Sequence, residues 1–473
     1  MIMEKRKKSS RLPHTLVLIY VLVIAVYLLS LFIPAGQFER EERVFQGQKR
    51  LVAIPGTFQQ LPKKWLGPHW LLIAPIRGFQ DASLIIFLIF IFGGTFGLLG
   101  KTGAIEGGIY RLAAFFSRRP GLRFLVIPAL MVVFSLAGSV YGMAEESIPF
   151  VLIFIPFALS LGYDSIVGVA IPFLGSAVGF AVAFFNPFTV GIAQSFSDLP
   201  LYSGLTYRLI LWIIATIIAI IFVVAYAEKI RKNPSLSPVY EIDRGRVELA
   251  MANQSEMKWG NEQKLIIAFL FLGIGLLIFG ILAKGWYMEE IAALFLGLGL
   301  ISGFIARMKP SQMAQYFVEG AREMMNVVLI IAGGRAILII LREAMVLDSL
   351  LQGAASLIAL VPSIITAQLI FIIQAIINFF IHSGTAQASL TMPIIAPLSD
   401  LVGLTRQTAV LAFQLCEVIN PVLPTSAVTM GVLGVARIPW EKWARWFLPL
   451  MIILIIFSLI ALIPPVLFRY GPF

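Results

Sequence analysis

Long apolar runs alternate with short polar segments along the whole chain. A helix needs roughly 20 apolar residues to cross a bilayer, and runs near that length predict a polytopic membrane protein. The predicted crossings are Leu16–Ile33, Leu84–Leu99, Ile166–Ala193, Leu209–Ala227, Leu265–Ala283, Ile291–Ala306, Val327–Leu341, Thr408–Val435 and Phe447–Leu467.

Two other apolar stretches consist of shorter arms that frame a polar turn. The first, residues 124–161, turns at Gly138–Pro149, and the second, residues 364–398, turns at His382–Pro393. The arms of the first are shorter than a full crossing requires. The pattern therefore predicts one re-entrant helical hairpin in each half of the chain.

Two of the predicted crossings are interrupted by an Asn-Pro pair. Asn186-Pro187 interrupts residues 166–193, and Asn420-Pro421 interrupts residues 408–435. Proline removes a backbone donor and breaks a helix. Broken helices at membrane depth are tolerated where they line a cavity, so both breaks predict site-forming segments.

The order of these elements repeats along the chain. The first repeat, residues 1–227, and the second, residues 265–473, are joined by a hydrophilic linker at 228–264. Because of the linker and an extra span, Leu265–Ala283, the second repeat starts on the opposite side of the membrane from the first. We therefore expect an all-α polytopic membrane protein with inverted-topology repeats, the architecture of many secondary transporters.

Composition and charge support this interpretation and orient the chain. Of 473 residues, 59% are hydrophobic and 13% are charged, against about 25% charged in soluble domains. The net charge of +11 comes largely from Lys and Arg in segments that the positive-inside rule assigns to the cytoplasm. This predicts a multi-pass protein of the cytoplasmic (inner) membrane, with a cytoplasmic N-terminus and an outside C-terminus.

The candidate chemistry lies in the turns and breaks. Acids at membrane depth are functional hypotheses by default, and we expect Glu145, Glu146 or Glu417 to bind a cationic group, a coupling ion or a proton. Arg335, within a predicted span, is expected to pair with one of these acids. Local capping of broken backbone is the alternative role for the hydroxyl and amide groups. The candidate substrate-binding residues are Ser139, Glu145, Glu146, Asn186, Thr189, His382, Ser383, Thr385, Gln387, Glu417, Asn420, Thr425 and Ser426.

No cofactor is expected beyond a coupling Na⁺ or H⁺. Hydroxyl and amide oxygens suit partly dehydrated Na⁺, and we place a candidate Na⁺ near Ser139, Asn186, Ser383 and Asn420. The three histidines are scattered and the single cysteine, Cys416, forms no internal disulfide. A partner nucleic acid is not expected.

Several motifs resemble a known family. They are Gly142–Pro149, Gly162–Ala170, Asn186–Gln194, Ser383-Gly384, Leu390–Ile395, Ala409–Gln414 and Pro424–Ser426. Together they resemble the YfcC branch of the anaerobic four-carbon dicarboxylate carrier family, over about Pro13 to Leu450. The sequence departs from the family pattern at His382 and at Cys416–Pro421.

The resemblance implies membership of the ion-transporter superfamily. It implies a scaffold and a mobile domain of two hairpins and two unwound helices, moving as an elevator, and a homodimer. The substrates it implies are small anions and amino acids, and the branch includes basic amino-acid antiporters.

The predicted function is therefore secondary active transport of a small amino acid or carboxylate by alternating access. Acids outnumber cations among the candidate site residues, which favours a basic amino acid of the arginine/ornithine type and exchange. The alternative is Na⁺- or H⁺-coupled transport of a four-carbon dicarboxylate or another small carboxylate. A channel or an intramembrane enzyme is the alternative of another class. A channel does not need inverted broken helices, and Glu145/Glu146 fits binding better than catalysis, so we expect no enzyme.

Overall fold

The computed structural model of the chain describes residues 15–45, 48–105, 107–108, 111, 120–252, 260–284 and 286–471. The basic cluster Lys5–Arg11, which by the positive-inside rule predicts a cytoplasmic N-terminus, lies outside these residues. The helices of the first half are α1 (Thr15–Phe32), α2 (Trp70–Asp81), α3 (Ser83–Gly100), α4 (Pro120–Tyr141), α5 (Ser147–Ser160), α6 (Ser165–Val169), α7 (Gly175–Ala181), α8 (Ile192–Phe196) and α9 (Leu205–Lys232).

The linker and the second half continue with a further set of helices. These are α10 (Tyr240–Ala252), α11 (Asn261–Lys284), α12 (Met288–Ile305), α13 (Pro310–Arg322), α14 (Met325–Glu343), α15 (Leu347–Ala359), α16 (Ser363–Phe380), α17 (Gly384–Leu401), α18 (Arg406–Leu415), α19 (Ala427–Val435), α20 (Trp440–Ala461) and α21 (Ile463–Leu467).

Most of the predicted crossings coincide with helical segments that can span a bilayer. Within the described ranges, eight helical segments are long and apolar enough, namely α1, α3, α9, α11, α12, α14, α18–α19 and α20–α21. The remaining predicted crossing, residues 166–193, is divided into shorter pieces. The multi-pass prediction is confirmed.

The first hairpin has one arm longer than its apolar run. Helix α4 has 22 residues and ends at Tyr141, inside the predicted turn Gly138–Pro149, because the helix continues through small residues. The next residue is Gly142, whose φ of +72° favours glycine. A Cβ on Gly142 would also lie 2.8 Å from Asn186 Oδ1, so this turn fits closely against the first broken helix.

The second hairpin has a much shorter turn than predicted. The polar stretch His382–Pro393 was expected to form the turn, but α17 begins at Gly384 and contains Pro393. The Ser383 side chain accepts from the Ala386 N–H and caps α17. That cap lets a polar segment start a helix, so only residues 381–383 connect the two arms.

Both predicted helix breaks are present. The first broken helix runs through α6, a π-helical segment (Ala170–Leu174) and α7, and resumes after Asn186 as a π-helical segment, Pro187–Gly191. In the second, α18 passes into a 3₁₀ segment, Cys416–Val422, before α19 begins. The Asn186 side chain accepts from two backbone N–H groups, which satisfies donors that the break exposes.

The all-α prediction needs one correction, because the segment after α1 contains four short strands. Strand β1 (Gly36–Gln37) pairs with β4 (Gln59–Gln60), and β2 (Arg40–Phe45) pairs with β3 (Gln48–Ala53), both antiparallel. The strands are fixed by a contact distant in sequence. Both oxygens of Asp348, on α15, lie 2.8 Å from Arg40 Nη2.

The helices preceding the two hairpins pack crosswise between the halves. Helix α2 packs on α14, and α3 packs on α13. Glycines allow this approach, since a Cβ on Gly78 would meet the Ala332 carbonyl and a Cβ on Gly320 would meet the Gly93 carbonyl. Small residues at such crossings let helix backbones come close in membranes.

The linker is fastened to the helix bundle by a buried polar cluster. Asp243 on α10 accepts from the Ser165 N–H at 2.7 Å. Arg246 donates to Ser165 Oγ at 2.5 Å and also to the Ala436 carbonyl. The linker helix therefore joins the start of the first broken helix to the end of the second.

A second part of this cluster surrounds Asp164. The carboxylate accepts from the Ser237 hydroxyl at 2.6 Å and from the Tyr226 hydroxyl at 2.5 Å. Burial raises the pKa of Asp164, and the two hydroxyl donors oppose that rise. The cluster thus satisfies its buried polar groups within the protein.

Replacing Asp243 by Asn is expected to destabilise the protein by about 2 kcal/mol, because it leaves the half-buried Arg246 without its charge partner. The melting temperature of the purified protein in detergent measures this. Glu241→Gln, an exposed change on the same helix, should leave the melting temperature unchanged. Equal melting temperatures for the two variants would contradict a stabilising role for the cluster.

Candidate functional site

The hairpin turns and the helix breaks meet around one cavity. Its walls come from the α4–α5 turn, the first broken helix, the α16–α17 turn and the second broken helix, and its volume is about 180 Å³. This space suits a small solute. The predicted site residues that line it are Glu145, Glu146, His382, Ser383, Thr385, Glu417, Asn420 and Ser426.

Glu417 is the most deeply buried acid on the cavity wall. Its side chain lies on the 3₁₀ segment of the second broken helix, and the residue is 2% exposed. Oε2 accepts from Asn420 Nδ2 at 3.0 Å. Oε1 is buried and makes no hydrogen bond of normal geometry within the described part of the chain, although the Asn378 side chain lies close enough to stabilise the ionised carboxylate. A buried carboxylate with an unsatisfied oxygen is costly, so the Glu417 side chain is suited to bind a cationic group in the cavity.

The two adjacent acids of the first hairpin differ in their surroundings. Glu146 is buried, and its Oε2 accepts from the Ala144 N–H at 3.0 Å, within its own turn. Glu145 is half-buried on the cavity wall. Since Glu146 is used in the turn, Glu145 is the more available of the pair for a solute.

Arg335 faces the same cavity but has an unexpected partner. It was expected to pair with one of the three candidate acids. Its Nη1 instead lies 3.7 Å from Asp81 Oδ2, at the end of α2. Arg335 therefore contributes a cation to a wall that carries three acids, while part of its charge is balanced by Asp81.

The second hairpin is connected to both broken helices. His382 Nε2 lies 2.5 Å from Thr425 Oγ1. Thr385 donates to the Phe188 carbonyl at 2.8 Å. A movement of this hairpin turn would break or carry along both contacts, so the turn is coupled to the broken helices of both halves.

Five predicted site residues do not line the cavity. Ser139 accepts from the Phe184 N–H at 3.0 Å, and Asn186 caps the π-helical segment. Gln387 is hydrogen-bonded to Gln374 and Asn378 inside the hairpin. The contacts of Ser139 and Asn186 match the alternative of local backbone capping.

The other two of these residues, Thr189 and Thr425, are adjacent in sequence to the cavity-lining residues Phe188 and Ser426. Thr425 donates to the Phe379 carbonyl at 2.9 Å. Thr189 Oγ1 is buried without a hydrogen-bond partner among the described residues. Of the four residues placed near a candidate Na⁺, Ser383 and Asn420 line the cavity, whereas Ser139 and Asn186 are engaged by backbone groups.

The sequence interpretation missed one apolar wall and one aromatic residue. Phe173, Ser176, Ala177 and Phe180 line the cavity along one side of the first broken helix. Their spacing of i, i+3, i+4 and i+7 marks a single helix face, which was a usable signal. Tyr287, which precedes α12, also lines the cavity, and nothing local in the sequence marks it.

A comparison with protein families identifies the chain. A family model described as C4-dicarboxylate anaerobic carrier (DcuC) matches residues 12–466. The chain belongs to the DcuC family. It is a membrane transporter of that family, and the predicted resemblance is confirmed.

Two relatives in this family are similar over most of their length. A protein of Escherichia coli strain K12 named "Putative basic amino acid antiporter YfcC" is 35% identical over 468 residues, covering 91% of this chain and 92% of that protein. An uncharacterised protein of Haemophilus influenzae is 29% identical over 371 residues, covering 77% of this chain and 72% of its own.

Two solved transporter structures resemble this chain at lower sequence identity than the two proteins above. The YdaH transporter of Alcanivorax borkumensis has a TM-score of 0.40 and 16% identity, covering 97% of this chain and 100% of that chain. MtrF of Neisseria gonorrhoeae has a TM-score of 0.39 and 17% identity, covering 96% of this chain and 95% of the MtrF chain.

Proposed function

We propose that this transporter exchanges basic amino acids, such as arginine and ornithine, across the membrane. The observation that carries the proposal is the carboxylate of Glu417, a residue that lines the cavity and whose buried Oε1 makes no hydrogen bond among the described residues. A guanidinium or ammonium group of the substrate would supply a donor. The similar E. coli protein bears a name of this kind.

The charges of the cavity wall support a cationic substrate. Glu145, Glu146 and Glu417 face one cation, Arg335, whose partner is Asp81. An arginine molecule has one net positive charge, so its cationic side chain can pair with the acids while Arg335 attracts its carboxylate. Both contacts, the substrate cation with the acids and the substrate carboxylate with Arg335, would be charge-assisted hydrogen bonds, which are stronger than hydrogen bonds between neutral groups.

We also propose an alternating-access movement between two inverted repeats. The support is the matched order of elements, a hairpin followed by a broken helix, in each half. Helix α2 packs on α14 and α3 packs on α13, so helices from both halves together would form the static scaffold. The hairpins and broken helices would form the part that moves against it, as an elevator. Exchange of two like-charged substrates needs no coupling ion.

Proteoliposomes containing the purified protein test the proposal. We expect uptake of radiolabelled arginine to require internal ornithine, to saturate and to be absent from protein-free vesicles. A channel would not show stimulation by internal substrate. Arginine uptake into vesicles without internal substrate, at the same rate, would contradict exchange.

The two acids of the first hairpin should respond differently in this assay. Glu145→Gln is expected to lower kcat/KM for arginine about tenfold, because one charge-assisted contact is lost. Glu146→Gln should have the smaller effect on kcat/KM, since its carboxylate is already bonded within the turn. The reverse order would show that the turn rearranges and that Glu146 contacts the substrate.

The second candidate is Na⁺- or H⁺-coupled transport of a four-carbon dicarboxylate. The family model's own description and the presence of Arg335 on the cavity wall favour it. Succinate uptake driven by an imposed Na⁺ or pH gradient, with arginine inert, would replace the basic amino-acid proposal. The acids would then be assigned to the coupling cation.

A further inference from the structure

A second cavity lies on the other side of the second hairpin's turn. We call it the Arg342 cavity. It has a volume of about 340 Å³ and is lined by Gly36 and Arg40, by Arg342 and Asp348, and by Ile381 and Ala386, among others. It therefore joins the strand segment, the α14–α15 junction and the second hairpin.

The charges around this cavity are unbalanced. Asp348 is 4% exposed, and its carboxylate is used by Arg40 Nη2 and by the Phe38 N–H at 3.0 Å. The nearby acid Glu343 is bonded to Arg77 at 2.7 Å and to Lys64 at 3.5 Å. Arg342 is exposed and makes no ion pair within the described ranges, so its guanidinium has no acidic partner on this wall.

Helix α17 separates the two cavities by the thickness of its first turns. Ser383, Gly384 and Thr385 line the central cavity, whereas Ala386 and Leu390 line the Arg342 cavity. In the α16–α17 turn, Ile381 lines the Arg342 cavity and the adjacent His382 lines the central cavity. A solute in the Arg342 cavity would thus lie directly behind the turn that lines the central cavity.

We propose that the Arg342 cavity is an access site that binds the carboxylate of the substrate before it reaches the central cavity. This inference rests on the proposed function only in needing a carboxylate-bearing substrate, a property that arginine and succinate share. A guanidinium binds a carboxylate through charge-assisted hydrogen bonds, often two at once, and this contact is available to any solute that carries a carboxylate. The Arg342 cavity would receive substrate from the side of the membrane on which α15 lies.

Kinetics in proteoliposomes test this site. The wild type first establishes whether arginine or succinate is carried, and that solute is then used throughout. Arg342→Gln is expected to raise KM about tenfold, because one charge-assisted contact with the carboxylate is lost, while kcat stays unchanged because the central site is intact. Arg342→Lys, which keeps the charge, should restore most of the wild-type KM. Arg307→Gln, an exposed cation elsewhere on the chain, should leave KM unchanged.

Agmatine, which is arginine without its carboxylate, distinguishes a specific contact from a general change of charge. In the wild type, agmatine should inhibit arginine uptake weakly, and Arg342→Gln should reduce the preference for arginine over agmatine. An unchanged KM and an unchanged preference in Arg342→Gln would overturn the access site. If the wild type carries succinate and not arginine, the basic amino-acid proposal fails, while the KM of Arg342→Gln for succinate still decides this one.

Discussion

Replacing Glu417 by Gln is expected to lower kcat/KM for arginine uptake about 100-fold, equivalent to about 2.7 kcal/mol. The amide keeps the shape of the side chain and the contact with Asn420, but it removes the charge from the buried Oε1. A hydrogen bond to a charged group contributes about 1.5–3 kcal/mol, and the lost pairing with a substrate cation lies in that range. Uptake into proteoliposomes with internal ornithine is the measurement.

A matched variant separates the site from a general charge effect. Glu319→Gln changes an exposed acid on α13 that contacts Gln315, and it should transport at the wild-type rate. If Glu417→Gln also transports arginine at the wild-type rate, the unpartnered carboxylate does not hold the substrate, and the proposed binding mode is wrong.

Replacing Gly179 by Ala is expected to destabilise the transporter by about 3 kcal/mol and to abolish transport. A Cβ at this position would meet the backbone of Ser135, on α4, including its carbonyl oxygen. Backbone atoms cannot move aside as a flexible side chain can, so α4 and α7 would have to separate. Both helices carry cavity-lining segments at their ends.

The matched control is Gly297→Ala, within α12. A Cβ at Gly297 meets nothing within 4 Å, and alanine is a better helix former than glycine by about 1 kcal/mol. Melting temperatures in detergent should therefore fall for the Gly179 variant and stay equal or rise for the Gly297 variant. A fall of the same size in both would show that helical glycines matter here for a reason other than close packing.

The features predicted correctly from the sequence are the ones determined locally. An Asn-Pro pair breaks a helix wherever it lies, and a run of about 20 apolar residues has few alternatives in a membrane. Acids inside apolar stretches were predicted as site residues on the same grounds. That role stays a prediction, and the structure places Glu145, Glu146 and Glu417 around one cavity.

The features that were missed depend on contacts distant in sequence. Asp81 as the partner of Arg335, Asp348 as the anchor of Arg40, and Tyr287 on the cavity wall each require knowledge of which helices pack together. The length of the second hairpin's turn was also misjudged, because capping by Ser383 lets a polar stretch begin a helix. Ser139 and Asn186 lie in the right segments, but backbone groups use their side chains.

The crosswise packing of the two halves has a consequence for biosynthesis. The glycine face of α3, at Gly93 and Gly97, is completed by Gly320, which is synthesised 223 residues after Gly97. At about 5–20 residues per second, that interval lasts roughly 11–45 s. During this time the nascent first half lies in the membrane with its helix-packing face uncovered. Insertion machinery or lipid must occupy that face until the ribosome delivers α13.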